Sequence, residues 1–189
     1  MTVGQSGSRG EAGAEGTAAG VAAPLVYRVV INAPVSEVWK EITRTDAPIK
    51  CFFNSRMALS RAGLVKGSKM AMRTPNGKYV GVFGEILEVV LLKKFSHTFR
   101  FTELNDPPCV LTYELREVQG GTEFTMTISG ATPGTKSLKQ MAGGAKIITG
   151  TLKAVLETGK PSFGVRVLYA IMPWFPVPAA CRSEKWPVD

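Results

Sequence analysis

Residues 136–161 read KSLKQMAGGAKIITGTLKAVLETGKP. Leu138, Met141, Ala145, Ile148, Leu152 and Val155 recur at intervals of three and four, the spacing of one buried helical face. The pattern predicts a helix over about residues 134–159, closed by Gly159 and then Pro161. Lys139, Lys146 and Lys153 step by seven on a different face and point to solvent. Gly143, Gly144 and Gly150 each cost the helix roughly 1 kcal/mol against alanine. They imply close packing at those positions, or a helix that must hinge. A stripe this narrow needs a curved partner to cover it.

The chain upstream supplies one. LVYRVVIN (25–32) is a β-branched strand that stops at Ala33-Pro34, and Pro34 suits the start of a helix. In the next segment Val35, Val38, Trp39 and Ile42 form one helical face. A second short helix is expected over DAPIKCFF (46–53). Six strands follow at about 55–60, 67–74, 79–91, 93–103, 108–118 and 122–130. Turn signals at Asn76-Gly77, NDPP (105–108) and Gly120-Gly121 divide the later ones. Within TEFTMTIS (122–129), Phe124, Met126 and Ile128 alternate with polar residues. Consecutive strands joined by tight turns make an antiparallel sheet. The predicted class is therefore α+β: a strand, two short helices, a six-stranded continuation, and a long C-terminal helix that the sheet must curl around.

These segments resemble a known family. INAPVSEVWKEIT (31–43) is similar to the opening strand-to-helix motif of the START-like, or SRPBCC, superfamily, whose helix-grip fold includes the birch-pollen-allergen proteins. GVFGEILEV (81–89), FTELNDPPCVLTYEL (101–115), GGTEFTMTISG (120–130) and LKAVLETGKP (152–161) resemble the branch related to the activator of the heat-shock ATPase. The likeness covers roughly residues 25–160. It implies a curved sheet gripping a long helix, with a cavity between them. Members bind lipids, sterols, polyketides or plant hormones; a minority are cyclases, dehydratases or hydrolases, and some contact chaperones. One departure concerns the last helix. Many relatives carry a tryptophan shortly after an early glycine, where this chain has GGAKIITG (143–150), and its absence implies a differently shaped interior.

KKFSHTFRFT (93–102) places Phe95, His97, Phe99 and Phe101 on one strand face, with Lys94, Ser96, Thr98, Arg100 and Thr102 on the other. His97 is the only histidine of the chain. No GxSxG elbow presents a serine to it, and neither an HExxH motif nor a second histidine offers a metal site. His97 therefore reads as a neutral cavity-wall or core residue, with no catalytic, cofactor or metal role assigned to any residue. ATPGTKS (131–137) fails as a phosphate loop because Thr135 separates Gly134 from Lys136. Its expected role is to open the last helix. Glu85 and Glu88 fall on opposite faces of a strand and make a poor carboxylate pair. The expected ligand-binding wall is Trp39, Phe53, Met57, Met70, Met72, Phe95, His97, Phe99, Phe101, Tyr113, Phe124, Met126, Met141 and Ile148. Methionines and aromatics make adaptable walls. The competing reading is that these side chains fill the interior completely.

The totals bound the rest. The chain has 189 residues and a net charge of +8, divided as −1 over 1–24, +7 over 25–159 and +2 over 160–189. The excess suits either a solvated surface or an acidic partner. Cys51, Cys109 and Cys181 lack short spacing, which argues against a disulfide framework and for a reducing compartment. The N-terminus carries no signal-peptide pattern, and no run of about 18 apolar residues occurs, so cytoplasm is the expected location. The expected domains are a disordered Gly/Ala-rich stretch at 1–23, a helix-grip domain at 24–160 and an apolar, proline-containing extension at 161–189. That extension either folds back over the domain or the pocket mouth, or dips Leu168, Tyr169, Ile171, Trp174 and Phe175 into an anionic membrane surface. The leading functional expectation is a binding or carrier protein for a hydrophobic small molecule, without a cofactor. The alternatives are a chaperone-associated module that docks through Lys139, Lys146 and Lys153, and a cyclase-type or hydrolase-type enzyme in which Tyr113 or His97 moves a proton. Nucleic acid ranks last, for want of a basic-aromatic platform.

Overall fold

The computed structural model describes residues 20–189. The expected disordered stretch at 1–23 lies almost wholly outside the described residues. The chain runs β1 (Leu25–Ile31), α1 (Val35–Thr43), β2 (Arg56–Leu59), β3 (Lys69–Arg73), β4 (Val80–Val90), β5 (Lys94–Phe101), β6 (Cys109–Val118), β7 (Gly121–Ser129), α2 (Lys136–Thr158) and α3 (Phe163–Ile171), followed by three short 3-10 turns. The strands form one seven-stranded antiparallel sheet in the order β1-β7-β6-β5-β4-β3-β2. The sheet curves around α2, the α+β helix-grip architecture expected.

Residues 46–53 correct one expectation. They form successive tight turns and not a second helix: Phe52 N donates to Ile49 O and Ser55 N to Phe52 O, while Ile49 bridges Ser55. Phe53 and Asn54 take left-handed φ values of 53° and 57°, which no α-helix continues through. The turn throws the Phe53 ring back over α2. A Cβ placed on Gly144 would sit 3.6 Å from that ring. Phe53 thus occupies space beside the glycine-rich stretch of α2. Gly143 and Gly150, by contrast, face open space, so close packing does not account for them.

Two glycines have firm steric reasons. Gly121, at φ 134°, brings β7 so close to the end of β1 that a Cβ would meet Ile31 O at 2.0 Å. Gly84 lets β4 close on β5, where a Cβ would lie 1.8 Å from Thr98 O. The regular β4–β5 ladder lapses between Phe83 and Ile86 and shifts register before Glu88. Glu85 N finds Thr98 Oγ1 at 2.8 Å instead of a ladder carbonyl.

Helix α2 begins at Thr135, whose hydroxyl accepts from Leu138 N at 3.3 Å, and Asp106 Oδ2 accepts from Ser137 N at 2.8 Å. That contact holds the Asp106 carboxyl below its ordinary range. Gly159 ends the helix in the left-handed conformation at φ 76°. Met141, Ala145 and Leu152 of the stripe are buried, and Leu138 and Ile148 pack against the same core. The lysines divide. Lys139 and Lys146 are exposed, whereas Lys153 bonds Val30 O and Glu157, each at 2.7 Å, and ties α2 to β1.

After α2 the chain returns across the domain. Tyr169 of α3 donates to Lys50 O at 2.7 Å. Further on, Ser183 N and Oγ donate to Lys78 O and Gly77 O at 3.0 and 2.6 Å, and Arg182 bridges Tyr79. Trp186 packs on Phe83 with centroids 5.3 Å apart and lies under Arg100 at 5.6 Å. With Val188 it covers Ala71 and Val80 in a second apolar cluster on the outer face of the sheet. The C-terminal segment is thus a strap pinned at both ends, with residues 170–180 exposed between the pins.

Candidate functional site: an apolar cavity

Between the inner faces of β2–β7 and the first half of α2 lies a cavity of about 390 Å³, within the range of small-molecule sites. Twelve of the fourteen expected wall residues line it: Phe53, Met57, Met70, Met72, Phe95, His97, Phe99, Phe101, Tyr113, Met126, Met141 and Ile148. Trp39 and Phe124 do not, which corrects that expectation. Trp39 sits on α1, which packs against β6, β7 and α2. Phe124 stacks on Tyr113 with centroids 5.8 Å apart, and Tyr113 is the ring of that pair that reaches the wall. Both are core residues.

The alternation of β5 explains the wall. Phe95, His97, Phe99 and Phe101 share one face, and adjoining rings lie 4.8–6.3 Å apart. Cross-strand pairing then sets Tyr113 opposite Phe95, Leu111 opposite His97 and Met126 opposite Tyr113. Sequence reasoning missed Leu111, although it alternates with Tyr113 on the same face. It also missed Met172, Val177 and Cys181, which the strap carries to the cavity. No local periodicity signals that return. The exposed lining residues Glu103, Gln140, Met172 and Val177 mark the mouth. Gln140 and Glu103 lie 3.5 Å apart across it.

His97 is 2% exposed. Its Nδ1 lies 2.7 Å from Thr98 O, the carbonyl that packs against Gly84. A carbonyl only accepts, so Nδ1 carries the proton and Nε2 presents a lone pair. Burial pushes the ring's pKa down to about 4, with the Thr98 carbonyl a smaller opposing influence, and the imidazole is neutral at ordinary pH. Burial likewise pushes the Tyr113 hydroxyl well up, so it keeps its proton. Cys109 rises to about 11 and Cys51 rises well above its ordinary value, both chiefly by desolvation. They are buried thiols, as is Cys181, and inert ones. Among the described residues no group of three or more His, Cys, Asp or Glu is placed to hold a metal ion.

The model of the activator of Hsp90 ATPase homolog 1-like proteins matches residues 32–157. The chain belongs to this family. Three solved structures show the fold that this activator-homolog-like chain shares. The Aha1 dimer from Colwellia psychrerythraea is 21% identical, with a TM-score of 0.58 over 74% of this chain and 99% of that one. A protein from Mesorhizobium loti is 21% identical, with a TM-score of 0.59 over 71% and 97%. CalU16 from Micromonospora echinospora is 18% identical, with a TM-score of 0.58 over 78% and 81%. A search of curated protein sequences returns no match. The family fold is a ligand-binding one and fits a small-molecule partner in general.

The strap divides the five residues expected to meet a membrane. Ile171, Trp174 and Phe175 are exposed, Trp174 at 87%. Leu168 and Tyr169 are half-buried, and Tyr169 is hydrogen-bonded to the turn at Lys50. Phe163 and Val167 take their place on the outward face. No described helix is long and apolar enough to cross a membrane.

Proposed function

We propose that this activator-homolog-like protein binds and carries a hydrophobic small molecule in the cavity between sheet and α2. The observation that carries the reading is the wall itself. Aromatic and methionine side chains surround a hollow of about 390 Å³ whose one imidazole is neutral and hydrogen-bonded to backbone. Such a wall offers burial and shape, not a nucleophile–base pair. A guest hiding about 300 Å² of apolar surface gains roughly 7 kcal/mol. Ordering and association costs leave micromolar affinity. The test is a titration with Nile red, an uncharged fluorescent dye. Saturable enhancement that other apolar molecules compete away is expected; a linear, non-competable response contradicts the reading.

The outward face of the strap supports a second part of the proposal, contact with an anionic bilayer where such a guest would be picked up. Helix α3 has no fully buried residue. Phe163, Val167 and Ile171 of α3 and Trp174 and Phe175 just after it are exposed, and the same C-terminal segment carries exposed Arg166, Arg182 and Lys185. Flotation with phosphatidylserine vesicles should carry the full chain, and Trp174→Ser/Phe175→Ser should release it. Equal behaviour of the two proteins removes the membrane contact and leaves the cavity reading intact.

A further inference from the structure

The polar groups of the cavity restrict which apolar molecules fit. Among the described lining residues there is no lysine and no arginine. The carboxylate at the mouth, Glu103, is exposed and paired with Gln140. Deeper in, His97 presents an Nε2 lone pair, since its Nδ1–H is spent on Thr98 O. Its ring centroid lies 5.8 Å from that of Tyr113. Tyr113 is 3% exposed, and its hydroxyl has no protein partner among the described residues. Neither Tyr113 Oη nor His97 Nε2 is among the buried polar atoms sealed off without a partner, so both keep access to the hollow they line. Buried polar groups in folded proteins are ordinarily satisfied, and two facing the same hollow call for a shared partner.

A guest hydroxyl meets both needs. It donates to His97 Nε2 and accepts from the Tyr113 hydroxyl. A carboxylate can only accept; it would leave the imidazole lone pair facing a negative charge and bring that charge into a wall without a cation. We infer that the cavity selects a neutral apolar molecule bearing a hydroxyl group, an alcohol or phenol, over an anionic amphiphile of the same length, with His97 and Tyr113 as the specificity-determining pair. This rests on the binding reading above and goes beyond it by naming the chemical class.

The test is displacement of Nile red from the full chain by 1-dodecanol and by dodecanoate, compared among the native protein, His97→Phe and Tyr113→Phe. The native protein should bind dodecanol more tightly than dodecanoate. Because the alcohol also leaves water more readily, the variants decide. Dodecanol should weaken about tenfold in each, the effect of one lost hydrogen bond that strands its partner. Dodecanoate should be unchanged or tighter in His97→Phe. If Nile red binds but dodecanol affinity is unmoved in both variants, or the native protein prefers dodecanoate, the hydroxyl selectivity is wrong and the binding reading stands. If Nile red does not bind the native protein, both fail. Should His97→Phe not fold, Tyr113→Phe alone decides the dodecanol arm.

Discussion

An imidazole buried beside a backbone carbonyl, with no acid to hold its proton, makes folding resist protonation. His97 titrates near 4 in the folded chain against an ordinary value of 6.5. As pH falls below about 6.5 the unfolded chain takes up that proton first, so stability drops steadily toward pH 4 and no further on this account. Above about 6.5 the contribution is complete. Urea midpoints at pH 7 and pH 5 should therefore fall more for the native protein than for His97→Phe; parallel falls contradict the assignment. Glycines divide by the same kind of local argument. Gly84→Ala forces a methyl onto Thr98 O and disturbs the carbonyl that orients His97. A loss of about 3 kcal/mol or more is expected in chemical denaturation. Gly150→Ala meets nothing and should gain up to about 1 kcal/mol. Equal effects at the two positions would refute the steric reading. The sequence placed Gly84 inside a strand without a reason, because its neighbour Thr98 is visible only once β4 and β5 are paired.

At the scale of elements, periodicity was enough wherever one face of an element meets one partner. The alternation of β5 and β7 and the three-four spacing of α2 predicted their spans to within about two residues. It failed at 46–53, where an apolar run looked helical but closes as turns through two left-handed residues. It failed again in the strap, whose partners lie roughly 100 residues away in sequence: Ser183 bonds Gly77 and Lys78, and Trp186 meets Phe83. Such contacts leave no local pattern. Trp186→Ala removes the ring packed on Phe83 and the Nε1 bond to Ala180 O. Limited proteolysis should then cut residues 172–185 several times faster, while the melting temperature of the sheet and α2 stays within a few degrees. Unchanged cleavage would mean that the strap is not held there.

Across the whole molecule, curvature of the sheet sets the interior. A sheet bent by bulges around a helix stripe too narrow to fill it leaves space, and this chain, lacking a tryptophan at the glycine-rich turns of α2, leaves about 390 Å³. Sequence alone could not decide between a filled core and a hollow, because the same methionines and aromatics suit both. A bound apolar guest should raise the melting temperature, and above its Kd the rise should follow the logarithm of its free concentration. The chain has seven methionines, and six of them, Met57, Met70, Met72, Met126, Met141 and Met172, line the cavity. Methyl NMR of protein labelled at methionine, titrated with 1-dodecanol, therefore reads the hollow directly. The account predicts that the five strand and helix methyls of Met57, Met70, Met72, Met126 and Met141 shift together and saturate at one equivalent. Methyls that stay still, or a drift confined to Met172 on the strap, would contradict it.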